Sequence, residues 1–270
     1  MSNAAGDRHF FEDIADHLGP AYLRYSFTKG TAQEVDFLME RLGLDEGSRL
    51  LDVGCGPGRH ARALAEAGVI VVGIDISAPF IELARREAPA TARFERMDAR
   101  QLPFDQEFDA VISLCQGAFG LVGGGPGVDG SAVDPDGAVL DGMAAALVPG
   151  GVLAVSAFSA YFQVRFLEDH DHFDAAAGVN RELATLTDQH GAQIERDLWT
   201  SCFTPRELRL LVDRAGLEVD DVYGVTPGRY RADPPSLDVP EFLVVAHRPM
   251  LPPGRGRHRI GPREFRETSG

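Results

Sequence analysis

The stretch that decides the fold is Leu50-Leu51-Asp52-Val53-Gly54-Cys55-Gly56-Pro57-Gly58, followed by the helical pattern Arg59–Ala67. Four residues with an apolar majority predict a buried strand, and the glycines that follow predict a sharp turn into a helix. Glycine lets a backbone turn tightly and lets a ligand approach main-chain N–H groups without a Cβ in the way. The spacing is GxGxG, whereas a dinucleotide-binding loop has GxGxxG and would need glycine where Arg59 stands.

Working outward, apolar runs rich in branched residues recur at Val69–Ile76, Phe108–Leu114 and Val152–Phe158, and Ala92–Met97 alternates apolar with charged residues. Helical patterns lie between them at Ala78–Glu87 and Gly137–Leu147, with Gly68 and Pro149-Gly150-Gly151 as stop signals. Continuous apolar strands separated by helices predict an α/β protein whose parallel sheet is covered on both faces. Beyond Phe158, Arg181–Asp188 and Gln193–Cys202 flank a His190-Gly191 turn and read as an inserted β-hairpin. Thr204-Pro205-Arg206-Glu207 carries a Thr cap, a first-turn proline and a capping-box glutamate, so a helix runs from there to about Ala215. Strands at Leu217–Val222 and Glu241–Ala246 bracket the proline-rich loop 226–240, and from Pro249 the composition predicts a disordered tail.

Acids close three successive strands. Asp52 ends the first, Asp75 in Val71-Val72-Gly73-Ile74-Asp75-Ile76 the second, and Asp98 in Met97-Asp98-Ala99 the third. A carboxylate at the second position reaches both hydroxyls of a ribose lying across the strand ends, and Asp98 with the Ala99 N–H offers an acceptor and a donor to an adenine edge. Singly, each acid reads equally as a helix or loop cap; all three in sequence favour a ligand.

These segments, LDVGCGPGRHARALAEAGVIVVGIDIS (51–77), ARFERMDARQLPF (92–104) and FDAVISLC (108–115), resemble the class I S-adenosylmethionine-dependent methyltransferases. The resemblance is close over 34–159 and extends by element order to about residue 247. It implies a Rossmann-like, mostly parallel seven-stranded sheet with helices on both faces, an N-terminal helical lid, and the inserted hairpin. It implies S-adenosylmethionine as cofactor, with Asp52, Gly54, Cys55 and Gly56 beside the methionyl moiety, Asp75 on the ribose and Ile76 against the adenine. Asp98 and Ala99 then meet the adenine edge, and Leu114 with Cys115 flanks the amino-acid end. The expected division is a cap over 1–33, a cofactor-binding domain over 34–248 with its insert at about 159–203, and a tail over 249–270.

Methyl transfer from a sulfonium is an in-line displacement, so a conspicuous catalytic residue is not required, and none is assigned. The (Asp/Asn)-Pro-Pro-aromatic motif of related amino-methyltransferases is absent after the fourth strand; Asp233-Pro234-Pro235-Ser236 lies in the wrong topological place. Amino-sugar N-methyltransferases of this kind tend to carry a histidine near position 120, where this chain has Gly120. Substrate-side candidates are Tyr22 and Tyr25 of the aromatic N-terminal stretch, Gln116, His170 and His172 of an acidic loop, and Trp199. Each has a plainer reading: a helix packed on the sheet edge, a loop hydrogen bond, a solvated charged loop, and a pocket or dimer contact for the tryptophan. No metal site is assigned.

The chain has 270 residues and a formal net charge of −15. The tail from Pro249 contributes +3, leaving the body at −18. That balance disfavours electrostatic capture of nucleic acid. No run approaches the ~20 apolar residues of a membrane span, and three widely spaced cysteines fit neither a disulfide framework nor a zinc module. The expectation is a cytoplasmic enzyme, monomer or homodimer, that methylates N, O or C of a small molecule. The alternatives are a protein or peptide substrate, and a cofactor-binding partner that does not methylate.

Overall fold

The computed structural model describes residues 8–115, 117–125, 128 and 133–250. Gln116 and most of the expected tail lie outside the described residues.

The chain enters through α1 (Phe10–Leu18), two 3-10 turns (Gly19–Arg24 and Ser26–Gly30) and α2 (Thr31–Arg41). Alternation then follows: β1 (Arg49–Val53), α3 (Arg59–Glu66), β2 (Ile70–Asp75), α4 (Ala78–Arg86), β3 (Ala92–Arg96), β4 (Phe108–Ser113), α5 (Gly137–Ala146) and β5 (Leu147–Ser159). After α6 (Ala160–Arg165) come β6 (His172–Asp174), β7 (Val179–Thr187) and β8 (Gln193–Phe203), then α7 (Pro205–Arg214), β9 (Glu218–Val225) and β10 (Glu241–His247).

Strands β3-β2-β1-β4-β5 pair in parallel, and β10 joins antiparallel between β5 and β9. The chain winds outward from β1 in both directions, so a crevice opens at the carboxyl ends of β1 and β4. Strand alternation sends Leu51 and Val53 of β1 to one face, with α5 and α7, and Leu50 to the other, with α2 and α3. Local signals and packing agree in α7, where Thr204 and Glu207 close a reciprocal capping box, and in α4, where Ser77 caps the Phe80 N–H.

Two expectations are corrected. The insert is a three-stranded antiparallel sheet, not a hairpin, because His172–Asp174 pairs with β7. It extends the central sheet through β8, which pairs with β5 at Phe158↔Cys202 and Ser159↔Phe203, making a sheet of ten strands among the described residues. The charges of 168–174 hide β6: on an exposed edge strand both faces tolerate polar side chains, so no apolar alternation marks it. Second, β5 begins at Leu147, directly after α5; the Pro149-Gly150-Gly151 segment is absorbed as an irregularity where Phe108↔Leu147 gives way to Ala110↔Val152. The N-terminal segment runs on into α2, which packs on α3, while α1 packs on the insert. No helix among the described residues is long and apolar enough to cross a membrane.

Candidate active site

The glycine turn is built from three left-handed residues, Gly54 (φ 75°), Gly56 (φ 54°) and Gly58 (φ 80°), the last capping α3. An L side chain is disfavoured at such φ values. At Gly54 there is a second constraint, because a Cβ would run into the backbone of Gly117. The Gly54 and Cys55 N–H groups donate to the Ile74 carbonyl at 2.8 and 2.9 Å, locking the turn onto the end of β2.

Asp75 lies where the turn and β2 meet, 4% exposed. One carboxylate oxygen accepts the Gly56 N–H at 2.9 Å and the other the Ser77 N–H at 2.8 Å. Each oxygen keeps a further lone pair. Burial raises its pKa to about 6, against the two backbone donors. Burial raises Asp52 further, to about 7, opposed by the Arg59 charge and reinforced by that of Asp75. Asp52 Oδ2 has no hydrogen-bond partner among the described residues, although it is buried. An acceptor left without a donor beside a glycine turn suits a ligand that brings the donor.

On the far side, Ile76, Met97, Asp98, Ala99 and Arg100 line a small cleft closed by His9 and Phe11 of the N-terminal segment. Here Asp98 holds its own neighbour: its two oxygens accept Arg100 Nε and Nη2 at 2.9 and 2.6 Å, and that pair lowers its pKa. A larger cavity of about 610 Å³ lies on the other side of Gly54 and Gly117. Glycines 54 and 56, Asp75 and Cys115 open into it from the sheet. Phe11, Ile14, Leu18, Tyr22 and Tyr25 close it from the N-terminal elements, and β7 and β8 supply Glu182–Leu186, Leu198 and Thr200.

The N-terminal elements are latched over this cavity. Arg96 Nη2 donates to Glu12 of α1 at 2.8 Å, His9 Nε2 meets the Leu121 carbonyl at 3.0 Å, and Arg24 donates to the Asp188 carbonyl in the β7–β8 turn at 3.0 Å. The Tyr22 ring packs tilted against Phe80, with centroids 4.9 Å apart, and burial raises its pKa. Beneath it, Cys115 takes a left-handed φ of 51°, donates its N–H to Ser156 Oγ at 2.7 Å, and receives Arg59 Nη2 on its sulfur at 2.9 Å.

Arg59 continues the same network to the wholly buried Glu34 of α2, at 2.6 Å, where His60 Nε2 also approaches to 2.7 Å. Burial alone would raise Glu34, but His60 and Arg59 override it and bring its pKa to about 2. Its other oxygen accepts the Gly228 N–H at 2.6 Å. One carboxylate thus ties α2, α3 and the β9–β10 loop together.

Several expected residues do not meet the cavity. Trp199 packs on Gly124 and beneath Arg181, with 5.4 Å between guanidinium and ring. Its neighbours Leu198 and Thr200 face the cavity instead, as strand alternation requires. His172 is exposed on β6, while His170 alone of that pair lines the cavity. Leu114 is buried among the sheet residues. Asp233 to Ser236 are exposed in the β9–β10 loop.

Sequence reasoning missed Glu241, which lines the cavity while 2% exposed. The available signal was an acid opening the otherwise apolar run Glu241–Ala246. It also missed Asp136, which accepts Gly120 N–H, Val122 N–H and Ser201 Oγ at 2.9, 3.0 and 2.6 Å. That fixes the segment after β4 against β8 and accounts for Gly120, left-handed at φ 95° with its carbonyl taken by the Ser201 N–H.

Comparison with known proteins agrees with this geometry. Residues 50–122 match a family model described as a methyltransferase domain. The chain is 31% identical to the cypemycin N-terminal methyltransferase of a Streptomyces species, over 75% of this chain and 84% of that one. It is 37% identical to a demethylmenaquinone methyltransferase of Beutenbergia cavernae, over 54% and 58% respectively. Among solved structures, CcbJ of Streptomyces caelestis superposes with a TM-score of 0.71 at 18% identity, covering 88% of this chain and 98% of that one. CalS10, an amino pentose methyltransferase from Micromonospora echinaspora, gives 0.58 at 25% identity over 85% and 95%. A left-handed glycine turn, an acid at the end of β2 and a Rossmann-like sheet thus occur in a chain with an extensively matched methyltransferase relative. The chain belongs to the class I S-adenosylmethionine-dependent methyltransferases.

Proposed function

We propose that this methyltransferase acts on a nucleophile of a small molecule held in the cavity of about 610 Å³. The enclosure of that cavity carries the reading: N-terminal elements and insert together close a space within the range of small-ligand sites, roughly 300–1,000 Å³. When bound, S-adenosylmethionine supplies an electrophilic methyl on a sulfonium. The protein's own task is to hold donor and nucleophile in line and to keep water out.

In this reading Asp52, Gly54, Cys55 and Gly56 lie at the methionyl part and Asp75 accepts the ribose hydroxyls. Ile76, Asp98 and Ala99 lie at the adenine, and Leu114 and Cys115 belong to the amino-acid end. The unpartnered Asp52 Oδ2 and the spare lone pairs of Asp75 support that placement. Tyr22, Tyr25 and His170 face the acceptor from the cavity wall, and the cap expected over 1–33, described from residue 8, acts as the lid. Residues 34–248 form the body, with 159–203 as the insert that completes the cavity.

A second reading, a peptide whose N-terminal residue enters the same cavity, is favoured by the cypemycin N-terminal methyltransferase relative. Calorimetry with S-adenosylhomocysteine, followed by methyl-release assays over small acceptors and short peptides, tests both. Turnover of small acceptors supports the first reading, and turnover of peptides alone supports the second. Cofactor binding without turnover of either class counts against methylation at this cavity.

A further inference from the structure

Strand pairing fixes which side chains of the insert look toward the N-terminal elements. Asn180↔Thr200, Glu182↔Leu198, Ala184↔Arg196 and Leu186↔Ile194 are cross-strand partners of β7 and β8, and alternation puts all of them on one face. Glu182, Ala184, Leu186, Leu198 and Thr200 of that face line the cavity. Arg196, exposed and donating to the Glu195 carbonyl, does not. Arg181 and Trp199 belong to the other face, as does Thr185, although it borders the cavity. The joint with β5 is at Cys202 and Phe203, so Asn180 and Thr200 lie nearest the central sheet and Leu186 and Ile194 nearest the β7–β8 turn. The cavity wall on this face therefore changes from polar to aliphatic with distance from the sheet.

The lid matches the aliphatic end. Ile14 and Leu18 of α1 are buried in one apolar cluster with Leu186, against which Ala184, Ile194 and Leu198 pack. At the opposite end the cavity meets the glycine turn, with Gly54, Gly56, Asp75 and Cys115. The aliphatic end is tied shut at the tip of the insert: Arg24 donates to the Asp188 carbonyl at 3.0 Å, and His17 Nε2 meets the Ala192 carbonyl at 3.2 Å. A hydroxyl-rich body placed there gives up its bonds to water and finds no partner on this wall. A hydrocarbon body gains by leaving water.

We infer that the acceptor is an amphiphile, with its reacting atom at the glycine turn and an aliphatic or aromatic body between α1 and the inner face of β7 and β8. Ala184 sets how long that body can be. It is the small side chain of the aliphatic stretch, and a larger one there fills space between the insert and α1. This rests on the small-molecule reading above and deepens it to a substrate class. Sugars, which carry hydroxyls along their whole length, fit such a wall poorly.

The test is a series of para-alkylphenols and para-alkylanilines, from methyl to octyl, set against para-hydroxyphenyl and para-aminophenyl glucoside, which carry the same heads on a sugar body. Affinity is measured by calorimetry on the full chain saturated with S-adenosylhomocysteine. Each added methylene is expected to tighten binding by about threefold to fivefold up to a limiting length, and the glucosides are expected to bind weakest. Ala184→Phe is expected to move that limit to a shorter chain while leaving the methyl and ethyl members unchanged. Ala184→Leu, a smaller addition, should move it less and stands in should the phenylalanine variant fail to fold. S-adenosylhomocysteine affinity serves as the fold check for both. Glucosides binding as tightly as the alkyl members, or affinity independent of chain length, overturns the amphiphile assignment and leaves the small-molecule reading standing. An unmoved limit in a folded variant overturns the role of Ala184. If no member of either set binds, the small-molecule reading falls as well.

Discussion

Asp75 accepts the Gly56 N–H at 2.9 Å, so the carboxylate that closes β2 also fixes the middle of the glycine turn after β1. One side chain therefore shapes the cradle and faces its contents. Replacing it by alanine removes both functions, and by asparagine the charge with one acceptor. Asp75→Ala is expected to weaken S-adenosylhomocysteine binding by about tenfold to a hundredfold, the loss of one or two hydrogen bonds to a charged group. Asp75→Asn should lie between Ala and wild type. Calorimetry reads this directly, and an unchanged affinity in Asp75→Ala removes the residue from the ribose site.

Binding should also move protons. Asp75 in the free protein has its pKa raised to about 6 and Asp52 to about 7, both chiefly by burial. Ribose hydroxyls that donate to a carboxylate favour its ionised form and so lower its pKa on binding. Calorimetry at pH 6 in buffers of different ionisation enthalpy should therefore show protons released, of the order of half a proton per site. At pH 8.5 both groups are already ionised and the release should vanish. Proton uptake at pH 6 would contradict the assignment.

Gly54 and Gly47 make an internal comparison. Both are left-handed, at φ 75° and 87°, but a Cβ meets nothing at Gly47 and strikes Gly117 at Gly54. Gly47→Ala should cost only the left-handed penalty, about 1–2 kcal/mol. Gly54→Ala should cost clearly more in urea unfolding and should abolish cofactor-product binding. Equal effects would show that the approach of the two loops is not constrained in solution.

Asp136 holds three donors, two backbone N–H groups and the Ser201 hydroxyl. Asp136→Ala leaves all three without their acceptor, at about 1–3 kcal/mol for each one that stays buried. Ser201→Ala removes one donor and should cost less. The larger variant should also loosen the segment after β4, seen as faster amide exchange at Gly120 and Val122. A stable Asp136→Ala with unchanged exchange would contradict this.

The acid limit of stability should depend on Glu34. Its pKa is about 2 in the fold against 4.5 ordinarily, so its stabilisation is complete above pH 4.5 and is lost as pH falls toward 2. His60, whose pKa burial lowers from 6.5, adds a loss that begins below pH 6.5. Wild type should therefore lose stability progressively from pH 6.5 to 2. Glu34→Gln should be less stable at pH 7 and flatter below pH 4.5, as read from urea midpoints across that range. A parallel decline in both proteins would assign the acid sensitivity elsewhere.

The order of strands and helices from Arg49 to Ser159 was legible because each element carries its own periodicity, cap or glycine stop. Thr204 and Glu207 show this most directly, forming in three dimensions the reciprocal cap that their spacing announced. The glycine turn and the three strand-end acids were legible for the same reason, since strand–turn–helix is a local unit. The edge strand His172–Asp174 was not, because pairing with β7, and not its own pattern, makes it a strand.

The sequence by itself determined the α/β alternation and the three acids at the strand ends. Those features depend on contacts within a few residues along the chain. Only the tertiary structure decided which side chains share the cavity. It set Glu241 opposite Phe158, sent Thr200 inward and Trp199 outward on the same strand, and brought Gly54 against Gly117. Such placements follow from strand pairing and chain crossing between segments tens of residues apart, and no local pattern encodes them.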